Sequence, residues 1–195
     1  MRCATAVIMA GVLLAAPLHA QNAPKDPSRP AAPTHPPTAP STTPRMPARI
    51  EGQVYVGDRA PDFELDSSRG RPIKLSSLHG AWVLLVFAED RSLFGHLRDV
   101  DTELRPLNVR TLGVCREKAR TLESLAARDS IQSVWLADIT GEISALYGLY
   151  DFADSKIRPG FVLIDGRGIV QMALLGQALP PEEVVRLAHF GITGY

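Results

Sequence analysis

Apolar residues fall along this chain in two distinct rhythms. Residues 82–87 (WVLLVF) and 109–115 (VRTLGVC) are short, nearly continuous apolar runs, the mark of strands buried on both faces of a sheet. Between them Leu93, Leu97, Val100 and Leu104 recur every three to four residues, which predicts a helix over residues 92–104 with Ser92 as its N-cap. Strand, helix and strand make a βαβ unit with a right-handed crossover, so both strand ends share one edge. Parallel strands deliver functional loops at their C-terminal ends, and residues 88–96 (AEDRSLFGH) are therefore the first place to look for chemistry.

Ahead of this unit, residues 62–66 and 72–75 alternate around the turn Ser67-Ser68-Arg69-Gly70, predicting a small β-hairpin. Downstream, residues 117–129 read as a helix with Ala119, Leu122 and Ala126 inward, 133–137 as a short strand and 142–147 as a short helix. Residues 160–165 (GFVLID) and 169–174 flank Gly166-Arg167-Gly168 and form a second hairpin. Pro180-Pro181-Glu182-Glu183 opens a final helix, with prolines and acids where a helix N-terminus favours them. The order of elements predicts an α/β sandwich with a mixed central sheet flanked by helices and preceded by the N-terminal hairpin. No internal repeat is visible.

Composition changes this picture mainly at the N-terminus. A chain of 195 residues, 45% hydrophobic and 22% charged, supports one core of ordinary size. The formal net charge is zero and no basic cluster is interleaved with aromatics, which leaves nucleic-acid binding without electrostatic support. Arg2, the apolar run 4–14 and Pro17-Leu18-His19-Ala20 read as a secretory signal peptide over residues 1–20, with an h-region too short to span a bilayer. Nine of the sixteen prolines lie in residues 21–49, so residues 21–50 are expected to form an extended, Pro-rich linker ahead of a folded domain at 51–195. Cleavage after Ala20 would remove Cys3 and leave an exported, periplasmic or secreted protein with no stable membrane insertion. Its single cysteine, Cys115, could form no internal disulfide.

Residues 56–65 (VGDRAPDFEL) resemble the N-terminal signature of the peroxiredoxins, the alkyl hydroperoxide reductase and thiol-specific antioxidant family. Residues 75–80 and 83–87 are similar to that family's LS-x-L-x-G-x-x-V-x-x-V-F segment, 108–114 to its NV-x-V-x-GVS strand, and 157–169 (IRPGFVLIDGRGI) to its R-x-x-F-x-ID-x-x-G-x-I hairpin. The resemblance covers nearly all of residues 54–190 and implies a thioredoxin-like fold.

At the active site the sequence departs from the family pattern. Peroxiredoxins carry a Pro-x-x-x-Thr-x-x-Cys loop after the first core strand, whose low-pKa thiolate attacks peroxide while Thr and Arg position its oxygens. Residues 88–107 contain no cysteine, and their only proline, Pro106, lies beyond the helix. The segment is also shorter than the family's usual span. Counting forward from Phe87 places the missing cysteine at His96; counting back from Asn108 places it near Asp90. A thioredoxin-style C-x-x-C would fall on Ser92-Leu93-Phe94-Gly95.

Three residues are candidate carriers of chemistry. Arg158 matches the family's active-site arginine, whose guanidinium would lower a thiolate's pKa and hold a peroxide oxygen; its structural alternative is an ion pair with Asp90 or Glu89. Cys115 takes the Ser position of the GVS strand end. It is either a relocated nucleophile favoured by Arg116 and Lys118, or a small buried apolar residue. His96 could serve as a base or share a metal with Cys115, or stand exposed on its helix; two ligands fall short of a zinc or copper site. Asp138, Asp151 and Asp154 read as loop and capping carboxylates. No metal centre and no cofactor is expected.

Two functions follow. In one, an exported peroxiredoxin-like domain has lost its peroxidase centre and acts as a binding or accessory module, its Arg158 cleft taking a small anion, a peroxide or a protein segment. In the other, it reduces peroxides through Cys115 as a thiol-dependent antioxidant enzyme.

Overall fold

The computed structural model describes residues 53–89, 94–128 and 133–194. The expected signal peptide and linker, together with Asp90, Ser92, Leu93 and the side chain of Phe94, lie outside those residues.

Five strands form the central sheet: β3 (Trp82–Phe87), β4 (Val109–Cys115), β5 (Val134–Ala137), β8 (Gly160–Ile164) and β9 (Val170–Leu175), in the order β5-β4-β3-β8-β9. β3, β4 and β5 are parallel, whereas β8 runs antiparallel to both β3 and β9. The sheet is thus mixed, as the sequence predicts. β1 (Glu64–Leu65) and β2 (Ile73–Lys74) are the N-terminal hairpin.

Helix α1 (Phe94–Leu104) buries Leu97, Val100 and Leu104, the members of the predicted stripe among the described residues. It ends in a 3-10 turn (Arg105–Leu107) where Pro106 cannot continue the helix, and Asn108 caps that turn at φ 57°. Helix α2 (Ala119–Arg128) turns Leu122 and Leu125 inward, not Ala126, because the two leucines bury more apolar area than an alanine would. α3 (Glu142–Leu146) and α4 (Pro181–Thr193) complete the helices, and Pro181 stands in the first turn of α4 as expected.

Each sheet face carries its own packing. Leu85, Phe87, Leu112, Val114, Val162 and Ile164 meet Phe63 and Leu75 of the N-terminal segment, with Tyr147 and Leu149. On the other face Leu84, Val109, Phe161 and Leu163 pack beneath α1 and α4, while Cys115, Trp135 and Ala137 pack beneath α1 and α2. Each large side chain so buried is worth about 1.5–3 kcal/mol. Gly113 is required at its place in β4, since a Cβ there would stand 2.4 Å from the Trp135 ring.

The outer edge of β5 is covered by the chain itself. The Ser68 amide donates to the Trp135 carbonyl at 2.8 Å, the Ala137 amide to Asp66 at 2.9 Å, and the Trp135 amide to Ser68 Oγ at 3.0 Å. These bonds occupy groups that an edge strand would otherwise present to other chains.

A hairpin absent from the sequence reading, β6 (Tyr150–Asp151) and β7 (Lys156–Ile157), precedes β8. Its strands are too short to show a period of two.

Candidate functional site

Register brings three loops to one edge. Phe87 at the end of β3 pairs with Val114 near the end of β4 and with Gly160 at the start of β8. The segments just beyond, Ala88-Glu89, Arg116 and Arg158-Pro159, therefore converge where parallel strands present their C-terminal ends. The Ala88 amide donates to the Val114 carbonyl at 3.0 Å and extends that union by one residue.

Glu89 is the centre of this edge. Its Oε2 accepts the Ile157 amide at 2.6 Å, and its Oε1 lies 3.5 Å from Arg116 Nη1. Arg116 Nη1 also donates to the Ser155 carbonyl, while its Nε is buried without a hydrogen-bond partner. A half-buried carboxylate thus ties the ends of β3 and β4 to the β6–β7 hairpin. A carboxylate oxygen pair suits an amide N–H and a guanidinium, both of which only donate.

Arg158 extends outward from the same hairpin. Its amide donates to the Leu149 carbonyl at 2.7 Å, and its Nη2 and Nε reach Asp151 Oδ2 at 2.5 and 3.1 Å. Of the two expected partners Asp90 lies outside the described residues, and among the described residues the ion pair is formed with Asp151 and not with Glu89. Glu89 is already committed to Arg116 and Ile157, and the antiparallel hairpin sets Asp151 across from Lys156, two residues before Arg158. The Arg158 hydrogen bond, joined by the Asp154 and Ala153 amides, holds the Asp151 carboxyl below the usual carboxylate range. The same bond to Asp151 raises the guanidinium pKa further. Arg158 remains 58% exposed. Phe152, in the turn of the same hairpin, is 78% exposed and edge-on to Tyr150 at 5.1 Å between ring centroids.

Cys115 belongs to a different layer. Its side chain is 0% exposed and packs with Leu97, Leu122, Leu125, Trp135 and Ala137 on the α1–α2 face. Arg116, expected to favour its thiolate, is occupied by Glu89 and Ser155, and Lys118 is exposed. Alternation along β4 accounts for the separation, for Val114 and Cys115 point to opposite faces. His96 is exposed on the first turn of α1. Among the described residues no three His, Cys, Asp or Glu side chains gather as metal ligands. No helix among them is long and apolar enough to cross a membrane.

Asp138 caps α3 by accepting the Ile143 and Ser144 amides at 3.3 and 2.8 Å and the Ser144 hydroxyl at 2.7 Å, as a loop carboxylate should. Sequence reading overlooked Glu89 as the organiser of the edge and Asp151 as the partner of Arg158. The available signal was Glu89's position directly after the buried strand.

Comparison with known proteins agrees with this architecture. The model of the family described as AhpC/TSA matches residues 56–173. The chain is similar to the selenocysteine-containing peroxiredoxin PrxU of Peptoclostridium acidaminophilum, 29% identical in an alignment of 134 residues that covers 60% of this chain and 66% of the relative. The chain thus spans just under two thirds of that relative's length. Among solved structures, peroxidoxin BcpB of Mycobacterium tuberculosis superposes with a TM-score of 0.63 at 21% identity, over 71% of this chain and 96% of that one. The reduced 2-Cys peroxiredoxin of Plasmodium vivax gives 0.58 at 28% identity, over 70% and 95%.

Proposed function

The chain belongs to the AhpC/TSA family, and from that premise we propose that it is a peroxiredoxin-like domain without thiol-peroxidase activity, serving as a binding or accessory module. The observation that carries this reading is the burial of Cys115, the only cysteine among the described residues, on the face of the sheet away from Glu89 and Arg158. Peroxide reduction by this family's chemistry requires an accessible thiolate beside a positioned cation. At the edge where the loops converge, the described cations are neutralised by carboxylates: Arg116 by Glu89 and Arg158 by Asp151.

That pairing favours a protein segment over a free anion or peroxide as the partner of the Arg158 edge. Exposed aromatic residues and arginine, one in the turn of this short hairpin and one at its end, are enriched in protein–protein contacts. Phe152 and Arg158 would be its anchors. Export through cleavage after Ala20, with the Pro-rich stretch as a tether, is part of the same proposal and rests on the sequence of residues 1–50.

The deciding experiment measures hydrogen peroxide consumption by the purified protein with an excess of small thiol or thioredoxin-type reductant, alongside Cys115→Ser. Turnover indistinguishable from the reductant alone, in both proteins, is expected. Rapid consumption that disappears in Cys115→Ser would establish the relocated nucleophile and overturn the module reading.

A further inference from the structure

Helices α1 and α4 lie side by side on one face of the sheet, where Val100 and Leu104 of the first and Val184 and Ala188 of the second share a core cluster. Above that contact an open groove of about 1050 Å³ lies between them. Its α4 side is one helical stripe, with Glu182, Val185, Arg186, His189 and Phe190 at spacings of three and four. Asp99, Thr102 and Glu103 make the matching stripe on α1. The floor is apolar, for Val185 and Leu187 are half-buried and pack on the core beneath. Phe190, in the last turns of α4, is 57% exposed, a large apolar surface that the domain leaves in water.

The polar groups of the groove are mostly satisfied within their own helices. The Thr102 hydroxyl donates to the Arg98 carbonyl at 2.9 Å, and His189 Nδ1 lies 3.3 Å from the Thr193 hydroxyl. Arg98 pairs with Asp99 at 3.3 Å, and Arg186 is held by Glu183. Glu103 and Glu182 are the exceptions. Both are exposed, and neither has an ion-pair partner among the described residues. The unanswered charge is therefore negative and stands on both rims, Glu103 on α1 and Glu182 on α4.

We propose that this groove docks a basic amphipathic helix of a partner protein, laid along α1 and α4 as a third helix. Two helices in contact present a groove into which the apolar stripe of another fits. α1 has 11 residues and α4 has 13, lengths of about 16 to 20 Å, so the docked segment is about three turns long. Its apolar residues at i, i+3, i+4 and i+7 cover Val185 and Phe190, and lysines or arginines flanking that stripe answer Glu103 and Glu182. Charge complementarity chooses this occupant. A second copy of the chain, groove to groove, would set like acids together, and an anionic membrane or a nucleic acid would be repelled. None of these residues belongs to the edge formed by Glu89, Arg116 and Arg158, so the surface is independent of the peroxidase question.

The probe is a labelled amphipathic peptide of about 14 residues, leucine on one face and lysine on the other, with a second peptide carrying glutamate for lysine. Each is titrated with the full chain and followed by fluorescence anisotropy, at low and at moderate salt. Saturable binding of the lysine peptide is expected, weakening as salt is added, with the glutamate peptide at least about tenfold weaker. Phe190→Ala should weaken the lysine peptide about tenfold, as loss of an interface anchor does. Glu103→Gln and Glu182→Gln should each weaken it by a smaller factor and flatten its salt dependence. Glu142→Gln on α3 and Val56→Ala ahead of β1, both exposed and outside the groove, should change nothing. Thermal melts accompany each variant, and if Phe190→Ala fails to fold, Phe190→Gln replaces it. No saturable binding at millimolar concentration would overturn the proposal, as would equal binding of the two peptides or equal weakening by Glu142→Gln or Val56→Ala. Dimerisation in sedimentation that Phe190→Ala abolishes would assign the groove to a second copy and overturn it too.

Discussion

The thiol of Cys115 provides the sharpest test of how this domain is put together. With no accessible surface, it can meet a reagent only when the layer above it opens. The least costly opening in the structure lifts α2, which removes Leu122 and Leu125 from the face they share with Cys115 and Trp135. At about 1.5–3 kcal/mol for each large side chain, exposing the two leucines costs about 3–6 kcal/mol. Every 1.4 kcal/mol is about a factor of ten in population, so labelling by a soluble disulfide reagent should run about 10²–10⁴ times slower in the native protein than in denaturant. Native and unfolded rates are compared at one pH, with reagent concentration varied to verify that the native rate stays proportional to it, so that the population of the open state and not the rate of opening sets the ratio. A native rate within about tenfold of the unfolded one would refute the packing described for Cys115 and, with it, the basis for denying the residue a catalytic role.

Other parts of the fold are open to equally direct tests. Gly113→Ala would drive a methyl group to 2.4 Å from the Trp135 ring. It should cost about 1–3 kcal/mol in denaturant melts, partly recovered in combination with Trp135→Leu. Desolvation works to raise the pKa of Asp165, but the Ile169 and Arg167 amides, with the Arg167 and Gln171 side chains, outweigh it and hold the value low. The stability this confers is present above the ordinary carboxyl pKa of about 4 and is lost as pH falls through the depressed folded value. Asp165→Asn should therefore cost about 1–3 kcal/mol near neutrality and flatten the acid side of the stability curve measured by urea melts. Tyr147, whose hydroxyl donates to the Pro61 carbonyl at 2.8 Å, is held above the usual phenol pKa by burial and by the charge of Asp62. Its absorbance should show no ionisation until the protein unfolds in alkali, and Tyr147→Phe should cost about 1 kcal/mol.

The sheet was legible in the sequence because its strands are buried on both faces and declare themselves as unbroken apolar runs. α1 was legible for the complementary reason, a single stripe through Leu97, Val100 and Leu104. The choice between Leu125 and Ala126 in α2 was not, since both positions lie near the boundary of the apolar stripe and only packing against Trp135 and Cys115 decides it. Local signals likewise failed for β6 and β7, which are two residues each and largely polar. The identity of Arg158's partner depends on that hairpin, so it was missed together with it. The groove between α1 and α4 is illegible along the chain for another reason: tertiary folding gathers its rim acids and apolar floor from two separate segments, neither of which stands out alone.

The covering of β5 by residues 66–68 has a kinetic side. The bond from Trp135 to Ser68 Oγ joins residues 67 positions apart, and it can close only after β4 and α2 have been made and packed between them. Contacts of such long range form late, because their loop entropy must be met before they contribute. Any chain in which β5 forms before residues 66–68 dock on it has the outer amides and carbonyls of that strand bare. Aggregation of such chains should depend on concentration and be sensitive to changes at Ser67 and Ser68 that barely alter the finished fold. The small hairpin ahead of the core then acts as the domain's own chaperone for its most vulnerable strand.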